Sequence, residues 1–451
     1  MDFKDKRVLV SGVAKSGVSA AYLLKKLGAN VTIQDAKTEE ELGEIVSKIR
    51  NNGIKLYLGA NPDSIIKNMD VLVMSPGVPT DLSFVNKARE CNIPVIGEIE
   101  LAYMFSKSPI IGITGTNGKT TTTTLVGDIC KAYYKNTYVV GNIGNPFADI
   151  TLDTTEDGAV VAELSSFQLE TINEFRPKVS AVLNITPDHL NRHHTLENYI
   201  AAKERVFENQ TTEDYCILNY NDEITKKMAD KTKAKVIFFA LNKELSEGIY
   251  SDEESIYIRV LGYDEKVVDI DELKILGGHN VENAMAAIGC SIALGVPMEI
   301  IKMVLKEFTA VEHRIEYVTT VNDIEFYNDS KGTNPDASIK AVEAMRRPIC
   351  IIAGGYDKGS DYTEYVAAFK GRVKFAAVIG AVKDKIADTL DKADFKNYKI
   401  AETFEEAIDL CYENAEKGDC VLLSPACASW DMFKSYEQRG EIFKDYVRKL
   451  K

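Results

Sequence analysis

The stretch GITGTNGKT, at residues 112–120, is the part of the sequence that decides the fold. An apolar run enters a glycine-rich turn, and Leu125 and Ile129 then follow at helical spacing. A strand that ends in such a turn at a helix N-terminus presents backbone N–H groups to phosphate oxygens. Lys119 is placed to reach the outer phosphates, and the Thr120 hydroxyl is placed to bind Mg²⁺. The stretch therefore predicts a phosphate-binding loop in an α/β domain.

This loop departs from the usual phosphate loop, because Ile113 stands where the first glycine belongs. The plain alternative is a glycine turn that only begins a helix. The helix would also begin with five threonines, residues 120–124, which are poor helix formers because their χ1 angle is restricted. Hydroxyl groups that face phosphate and metal would explain why the helix begins this way.

Outside the loop, short β-branched runs alternate with helical patterns, which is typical of an α/β protein with mainly parallel sheets. Strands are expected at RVLVSG, NVTIQD and DVLVMSPG in a first block, and at PIIGIT, GAVVAEL and VSAVLNIT in a second. A third block has IEFYND, PICIIAGG and CVLLSP. Helices are expected near residues 39–50 and 284–294. The blocks predict domains at residues 1–97, 98–310 and 311–451.

The composition limits the classes of function. A net charge of −14 argues against general binding of nucleic acid or anionic membranes, which requires a field of Lys and Arg. The first residues, MDFKDKRVLVSG, lack a basic-then-apolar leader, and no apolar stretch approaches the ~20 residues of a membrane span. The eight cysteines include no CxxC pair and indicate reduced thiols. We therefore expect a cytoplasmic protein.

Polar side chains follow two predicted strands near the phosphate loop. Glu163 lies at the end of GAVVAEL, and His189 follows VSAVLNIT. Ligands of open α/β sheets bind beyond the carboxyl ends of the strands, so both groups are expected near one nucleotide. Glu163 suits Mg²⁺, which prefers oxygen ligands, and the alternative is a solvated surface carboxylate. His189, His193 and His194 cluster within six residues, and the His-x-x-x-His spacing would suggest zinc on a helix face. However, residues 187–195 are predicted to form a loop, and no matching Cys or second carboxylate completes a tetrahedral site.

Lys203 occupies an unexpected position. In HHTLENYIAAKERVFEN it lies on the same helical line as Leu196, Ile200 and Phe207, where an apolar residue is expected. One interpretation is that the stem is buried while the amine reaches solvent. The other is a desolvated amine of lowered pKa, which reacts with CO₂ to give a carbamate, an anionic metal ligand.

A second glycine-rich turn follows the first predicted strand. GVAKSG, at residues 12–17, and Asp35 at the end of the next strand nearly match a dinucleotide fingerprint. Ala14 replaces the glycine that allows close approach to a pyrophosphate, so a domain for another nucleotide diphosphate is a better interpretation than an NAD-dependent enzyme. SPG, at residues 75–77, is a similar turn at the same sheet edge. Either turn could also be purely structural.

With these motifs the chain resembles the Mur ligase family over its whole length. GITGTNGKT is common to that family and to folylpolyglutamate synthases. ELSSFQLE (163–170), NDSKGTNPDAS (328–338) and LLSPACASWDMFKSYEQRG (422–440) are more selective and resemble the member that adds D-glutamate. The resemblance implies three α/β domains: an N-terminal Rossmann-like domain for a UDP substrate, a central P-loop ATPase-type domain, and a C-terminal Rossmann-like domain for the amino acid.

The resemblance also implies site residues, with Lys119, Glu163, His189 and Lys203 as the catalytic ones. The implied ATP-binding residues are Gly115, Thr116, Asn117, Gly118, Lys119, Thr120, Thr121, Asn280, Asn283, Arg314 and Asp329. The implied ligands of two Mg²⁺ ions are Thr120, Glu163, His189 and Lys203 as a carbamate. Those for the UDP substrate are Ser16, Asp35, Lys37, Ser75, Pro76, Gly77 and Asn142. Those for D-glutamate are Lys331, Thr333, Lys358, Ser424 and Phe433. Ala14 and Ala36 stand where the member compared has Gly and Thr.

The implied reaction is ATP-dependent ligation of D-glutamate to UDP-N-acetylmuramoyl-L-alanine in peptidoglycan synthesis. Transfer of the γ-phosphoryl group to the substrate carboxylate would make an acyl phosphate, which the neutral amine of D-glutamate attacks. His189 is the candidate base unless it binds metal. The alternatives are a related amide ligase, such as another Mur ligase or a folylpolyglutamate synthase, and a nucleotide-binding regulator. A monomer with a hinge near residues 310–313 is expected.

Overall fold

The computed structural model describes residues 1–309 and 311–450. These residues form two compact units, of which the first comprises Met1–Asp269 and Glu282–Leu305. The second comprises Ile270–Val281 and the chain from Lys306 onward. The predicted α/β architecture is confirmed, because three sheets of mainly parallel strands alternate with helices along the chain.

The first unit begins with a five-stranded parallel sheet. Its elements are β1 (Arg7–Ser11), α1 (Lys15–Lys26), β2 (Asn30–Asp35), α2 (Glu39–Leu42), α3 (Ile45–Asn51), β3 (Lys55–Leu58), β4 (Val71–Met74), α4 (Ser83–Glu90), β5 (Val95–Gly97) and α5 (Glu98–Tyr103). The strand order is β3-β2-β1-β4-β5. β1 pairs with β2 on one side and with β4 on the other, so the chain changes direction across the sheet at this point. The turns after β1 and β4 therefore lie at a switch point, where open α/β sheets bind ligands.

The same unit contains a nine-stranded sheet. Its elements up to the middle of the sheet are β6 (Ile110–Thr114), α6 (Lys119–Tyr133), β7 (Thr137–Gly141), α7 (Phe147–Ile150), β8 (Ala159–Glu163), α8 (Ser166–Leu169), β9 (Val179–Val182), α9 (Leu190–His193) and α10 (Leu196–Glu204). The remaining elements are β10 (Tyr215–Asn219), α11 (Glu223–Lys227), β11 (Lys235–Ala240), β12 (Gly248–Ser251), β13 (Ser255–Val260), β14 (Tyr263–Asp269), α12 (Gly278–Ala293) and α13 (Met298–Glu307).

The order of this sheet is β14-β13-β12-β11-β10-β9-β6-β8-β7. The strands from β7 to β12 pair in parallel, and β12, β13 and β14 form an antiparallel edge. β6 and β8 are buried along their whole length, as expected of parallel strands covered on both faces. One apolar core runs from Phe3 to Ala234 and serves both sheets of the first unit.

The second unit is built on a six-stranded sheet. Its elements are β15 (Glu316–Val321), β16 (Ile324–Asn328), α14 (Pro335–Ala344), β17 (Ile349–Gly354), α15 (Thr363–Ala367), β18 (Val373–Ile379), α16 (Lys383–Lys392), β19 (Tyr398–Ile400), α17 (Phe404–Glu413), β20 (Cys420–Leu423) and α18 (Tyr436–Val447). The order is β15-β16-β20-β17-β18-β19, with only β15 antiparallel to its neighbour. The loops after β16, β20 and β17 therefore emerge side by side.

Two expectations for local structure were wrong. The helix expected near residues 39–50 is two helices, because Gly43 interrupts it with a φ of 64°. The segment expected as a loop at residues 187–195 contains the short helix α9. The helix expected around residues 284–294 is confirmed as α12, which begins at Gly278. Within the described ranges, no helix is long and apolar enough to span a bilayer.

Candidate active site

The phosphate loop joins β6 to α6 and is held by Asn184. The N–H of Asn117 donates to Asn184 Oδ1 at 2.8 Å, and the N–H of Thr116 donates to the Asn184 carbonyl at 2.9 Å. Gly118 caps α6 with a φ of 83°, and a Cβ there would lie 2.2 Å from Asn283 Oδ1. Glycine is therefore required at this position both by the backbone conformation and by the neighbouring amide.

Lys119 is the first residue of α6 and folds over the loop that precedes it. Its Nζ donates to the carbonyls of Gly115 and Thr116, each at 2.9 Å. The ammonium group is thus held beside the N-terminus of a helix, where backbone N–H groups and the helix dipole favour an anion. The loop, the lysine and the helix N-terminus lie together in the arrangement that phosphate binding requires.

The threonine run at the start of α6 corrects one expectation. Thr122 Oγ1 donates to Asn283 Oδ1 at 3.2 Å, and Thr124 Oγ1 donates to the Thr120 carbonyl at 2.8 Å. Thr123 is buried inside the unit. These hydroxyl groups serve the packing of the helix, so the idea that the whole run faces phosphate and metal was wrong.

Glu163 ends β8 and is 1% exposed. Its Oε1 accepts a hydrogen bond from Asn142 Nδ2 at 2.7 Å, whereas its Oε2 is buried without a hydrogen-bond partner among the described residues. The interpretation as a solvated surface carboxylate was wrong. A buried carboxylate oxygen without a partner is costly unless a cation or proton satisfies it, so the residue fits a metal ligand.

Lys203 lies in α10 and is 1% exposed, so its amine does not reach solvent. Nζ donates to the Gly115 carbonyl at 2.7 Å and to Thr114 Oγ1 at 3.2 Å, and it lies 4.9 Å from the centroid of the Tyr199 ring. Burial lowers the pKa of Lys203 well below its usual value, and the charge of Lys119 lowers it further. The snorkelling interpretation was therefore wrong, and the desolvated amine was predicted correctly.

Three charged groups lie close enough to Lys203 to affect its pKa. Glu163 and Asp188 oppose the lowering of the Lys203 pKa, and Lys119 promotes it. A metal-seeking carboxylate, the phosphate-loop lysine and the buried amine thus act on one another at the carboxyl ends of neighbouring strands. The expectation from the strand ends covered Glu163 and the segment with Asp188 and His189, whereas the approach of Lys203 to them was not expected.

His189 precedes α9 with a φ of 52° and is about half exposed. Its Nε2 lies 3.5 Å from Asp188 Oδ2, and its ring centroid lies 4.9 Å from that of Phe167. The neighbouring His193 is buried, with Nε2 2.9 Å from Ser166 Oγ, and burial lowers its pKa. His189 is therefore the accessible histidine of the two, and it is available for proton transfer or for metal binding.

A cavity of about 600 Å³ opens beside the switch point of the first sheet. Of the residues expected to bind the UDP substrate, it is lined by Ser16, Asp35, Ser75, Pro76, Gly77 and Asn142. Lys37 does not line it, although its N–H donates to Asp35 Oδ1 at 3.0 Å. Asp35 Oδ2 accepts from the Val13 N–H at 2.7 Å and so fixes the turn after β1.

Asn142 connects the cavity with the phosphate site. It lines the cavity, its side chain donates to Glu163 Oε1, and its N–H donates to the Glu163 carbonyl at 2.9 Å. A ligand bound in the cavity would therefore be separated by Asn142 alone from the Glu163 carboxylate, which fits a metal.

Further site residues were expected in the second unit. Asp329 is buried, and its Oδ2 accepts from Ser424 Oγ at 2.7 Å while its Oδ1 accepts from the Ile315 N–H at 3.3 Å. Burial raises the pKa of Asp329 to about 7, and the charge of Arg314 opposes the rise. The buried Nε of Arg314 has no hydrogen-bond partner among the described residues. Asn280 Nδ2 donates to the Leu276 carbonyl at 2.8 Å.

Two lysines of this unit lie against aromatic rings. Lys331 follows β16, and its Nζ is 5.3 Å from the centroid of the Tyr436 ring. Lys358 follows β17, and its Nζ is 5.0 Å from the centroid of the Trp430 ring. Contact with a ring restricts the conformations of a lysine side chain and is favourable for its positive charge.

The last two expected residues of the unit differ in position. Thr333 lies in the loop after β16, and its N–H donates to the Lys331 carbonyl at 2.9 Å. Phe433 lies between β20 and α18, and its ring packs edge-on against Phe404 with centroids 5.0 Å apart. Phe433 therefore contributes to the core of the unit as well as to its surface.

Sequence reasoning missed several residues of the site. Lys15 and Gln168 line the cavity, and Lys15 Nζ donates to the Gly144 carbonyl at 2.7 Å. Asn184 holds the phosphate loop, as described above. Lys15 lies within GVAKSG and Gln168 within ELSSFQLE, so both belong to motifs that the sequence analysis identified.

Comparison with known proteins agrees with this arrangement. Residues 6–97 match the family "Mur ligase MurD-like, N-terminal domain", residues 113–291 match "Mur ligase middle domain", and residues 313–427 match "Mur ligase, glutamate ligase domain". The chain is 51% identical to a UDP-N-acetylmuramoylalanine–D-glutamate ligase of Lachnoclostridium phytofermentans, with 100% of both chains covered. It is 49% identical to the enzyme of that name from Clostridioides difficile, again over 100% of both chains.

Solved structures show the same fold at lower identity. MurC from Thermotoga maritima is 20% identical, with a TM-score of 0.61 over 98% of this chain and 100% of that one. MurF from Acinetobacter baumannii is 16% identical, with a TM-score of 0.64 over 99% of this chain and 94% of that one. From the three family matches and the full-length identity to curated relatives, it follows that the chain belongs to the Mur ligase family.

Proposed function

We propose that this chain joins D-glutamate to UDP-N-acetylmuramoyl-L-alanine in an ATP-dependent reaction of peptidoglycan synthesis. Relatives about half identical over the full length bear the name UDP-N-acetylmuramoylalanine–D-glutamate ligase. The observation that carries the proposal is the contact from the cavity to Glu163 through Asn142, which joins a nucleotide-sized cavity to the phosphate loop. The cavity and the phosphate loop then belong to one site of the first unit.

The cavity is the proposed site of the UDP substrate. Its wall carries the turns at residues 12–17 and 75–77, and Asp35 ends the neighbouring strand. Gly17 supports this assignment, because a Cβ there would lie 2.0 Å from the Gly12 carbonyl oxygen. The start of α1 therefore packs closely on the turn after β1, and this close approach leaves room for a diphosphate at the helix N-terminus.

Phosphoryl transfer needs positive charge around the transferred group and little covalent help from the protein. We assign this role to Lys119 and to the N–H groups of residues 115–121. For the adenine and ribose of ATP we propose Asn280, Asn283, Arg314 and Asp329. Because a carboxylate does not react with an amine directly, the phosphoryl group must first convert the substrate carboxylate into an acyl phosphate.

The residues present fit Mg²⁺, because the partnerless Oε2 of Glu163 is the oxygen ligand that such an ion prefers. Thr120, Glu163, His189 and Lys203 as a carbamate would hold two ions. Bound Mg²⁺ would neutralise the charge that develops on the phosphoryl oxygens. A carbamate keeps one N–H of Lys203, so it can retain only one of the two hydrogen bonds that Nζ donates.

D-glutamate carries two carboxylates, which require cations and hydroxyl donors. We propose Lys331, Thr333, Lys358, Ser424 and Phe433 for this ligand. The amine must be neutral to attack the acyl phosphate. His189 is the candidate base in place of its role as a metal ligand, with Asp188 close enough to orient its ring.

The remaining proposals concern organisation. We propose domains at residues 1–97, 98–310 and 311–451, a monomer, and a cytoplasmic location where ATP and nucleotide-linked sugars are available. The phosphate loop motif is common to Mur ligases and folylpolyglutamate synthases and does not separate them, whereas the D-glutamate ligases above match the chain from end to end. No specific observation favours a regulator without ligase chemistry.

The test is phosphate release from ATP in the presence of UDP-N-acetylmuramoyl-L-alanine, compared across D-glutamate, L-glutamate and L-alanine. Release should depend on D-glutamate. Lys119→Ala should lower it at least ~1000-fold, because the transition-state charge loses its cation. The matched control is Lys131→Ala, in the last turn of the same helix, where Nζ binds Asp128 at 3.0 Å. Release that is equal with all three amino acids, or that survives in a folded Lys119→Ala variant, would refute the proposal.

A further inference from the structure

Arg439 is a buried cation that binds only neutral groups. It lies in α18 and is 1% exposed. Nε donates to Ser330 Oγ at 2.9 Å, and Nη2 donates to the carbonyls of Ser330 at 2.7 Å and Cys427 at 3.1 Å. Nη1 lies 3.5 Å from the Ala428 carbonyl. No carboxylate in the described part of the second unit forms an ion pair with it, and burial of a charge without such a partner is costly.

The groups that bind Arg439 belong to loops at the carboxyl ends of adjacent strands. Ser330 follows β16, immediately before Lys331. Cys427 and Ala428 follow β20, in the segment between Ser424 and Phe433. One guanidinium group therefore ties together the two loops that carry four of the five residues proposed for D-glutamate.

The loop after β17 lies against the same place. The Tyr356 N–H donates to the Ala428 carbonyl at 2.8 Å. Gly355 has a φ of 147°, and a Cβ there would lie 2.4 Å from the Ala428 oxygen and 3.3 Å from Arg439 Nη1. This loop carries Lys358, so the fifth proposed residue is also positioned from this point.

Among the residues that the structure describes, no carboxylate lies in hydrogen-bond contact with Arg439 to cancel its charge. The carboxylates of Asp329 and Asp431 act on it only at longer range, since neither forms a hydrogen bond with it. Burial lowers the pKa of Arg439 to about 10, so the group remains protonated at neutral pH. A positive charge in a medium of low dielectric constant attracts an anion over a longer distance than one in water.

We infer that Arg439 is a positioning residue for the amino-acid substrate: it fixes three strand-end loops and supplies positive potential beneath a dianionic ligand. The inference rests on the proposed function, because that function identifies the ligand as D-glutamate. The competing explanation is a purely structural tie, which would stabilise the unit without affecting the binding of any one substrate.

Arg439→Lys and Arg439→Met separate the two explanations. Lys keeps the charge but cannot make all the hydrogen bonds, so the KM for D-glutamate should rise ~10-fold, and Met should raise it ~100-fold. The KM for the UDP substrate should change less than ~2-fold, because the cavity proposed for it lies in the first unit. The KM for ATP should change less than the KM for D-glutamate, because Asp329 alone of the residues proposed for ATP lies in these loops. The matched control is Arg448→Met, an exposed arginine just beyond α18, which should leave all three KM values unchanged.

Each outcome decides the matter. A rise that is largest in the D-glutamate KM, absent from the UDP-substrate KM and larger for Met than for Lys supports the inference. Lower melting temperatures with an unchanged D-glutamate KM, or an equal rise in all three KM values, would overturn it. If both variants fail to fold, Ser330→Ala removes one acceptor and keeps the charge, and an unchanged D-glutamate KM in that variant would also overturn it. A wild-type enzyme that ignores D-glutamate would instead refute the proposed function.

Discussion

At the scale of single residues, Lys203 shows how far a helical pattern predicts chemistry. Its place on the line of Leu196, Ile200 and Phe207 predicted burial, and the side chain is 1% exposed. The pattern gives the direction in which a side chain points, because neighbours on a helix face recur every three or four residues. It does not give the hydrogen bonds to Thr114 and Gly115, which come from a strand far away in the sequence.

Carbamylation of Lys203 is the prediction that belongs to this scale. Lys203→Ala should lower turnover at least ~100-fold, because a ligand for the charge-neutralising metal is lost, and a short carboxylic acid in solution should restore part of the activity. A direct measurement is ¹³C NMR of the protein with ¹³C-bicarbonate and Mg²⁺ at mildly alkaline pH. Wild type should show a carbamate signal that Lys203→Ala lacks.

The control for this measurement is Lys231→Ala, which removes an exposed lysine paired with Glu204 and should keep both the signal and the activity. Full activity without a signal that depends on Lys203 would contradict carbamylation.

Other residues of the site could not be predicted from their own neighbourhood. Asn184 holds the phosphate loop through contacts across 67 positions of sequence. Lys15 binds the Gly144 carbonyl across 129 positions. Arg439 lies in a motif that the sequence identified, but only the folded unit shows that three loops meet around it. Such contacts are set by tertiary packing and leave no periodic signal.

At the scale of elements, sequence patterns located the phosphate loop, the central strands and most helices. They failed where a single residue changes the backbone. Gly43 divides one predicted helix into α2 and α3, and His189, in the left-handed region, begins the short helix α9 where a loop was expected. The antiparallel edge formed by β12, β13 and β14 was also missed, because the repeating strand–helix pattern favoured parallel pairing alone.

Glu98 gives a prediction about the stability of these elements. It begins α5, and its Oε1 accepts from the Ala148 N–H of α7 at 2.6 Å, while its Oε2 is buried without a hydrogen-bond partner among the described residues. Burial raises the pKa of Glu98 from 4.5 to about 7, and the charge of Asp149 adds to the rise. Between these values the folded state keeps a proton that the unfolded chain releases, so stability falls as pH rises through this window.

Glu98→Gln should remove this dependence, because the amide does not ionise. Relative to wild type, the free energy of unfolding of the variant should improve by up to about 3 kcal/mol between pH 5 and pH 8. Urea unfolding at the two pH values measures this change, with Glu90→Gln as an exposed control that should show none. An equal difference between variant and wild type at both pH values would contradict the raised pKa.

At the scale of the whole molecule, the three predicted α/β domains correspond to three sheets and three family matches. The boundaries at 97 and 310 stay predictions. The expected hinge near residues 310–313 also stays a prediction, and Ala310 lies outside the described residues. Glu312 is held within the second unit by Lys444, which also binds Glu316 and Glu441. Any hinge is therefore expected before Glu312.

The order of events is the central claim at this scale: ATP first activates the carboxylate of the UDP substrate, and D-glutamate then displaces phosphate. The most direct measurement uses UDP-N-acetylmuramoyl-L-alanine with ¹⁸O in its terminal carboxylate and follows the label by mass spectrometry. The account predicts that the released phosphate carries one ¹⁸O atom and that the peptide product keeps the other. Phosphate that contains no ¹⁸O, released while the peptide forms, would contradict it.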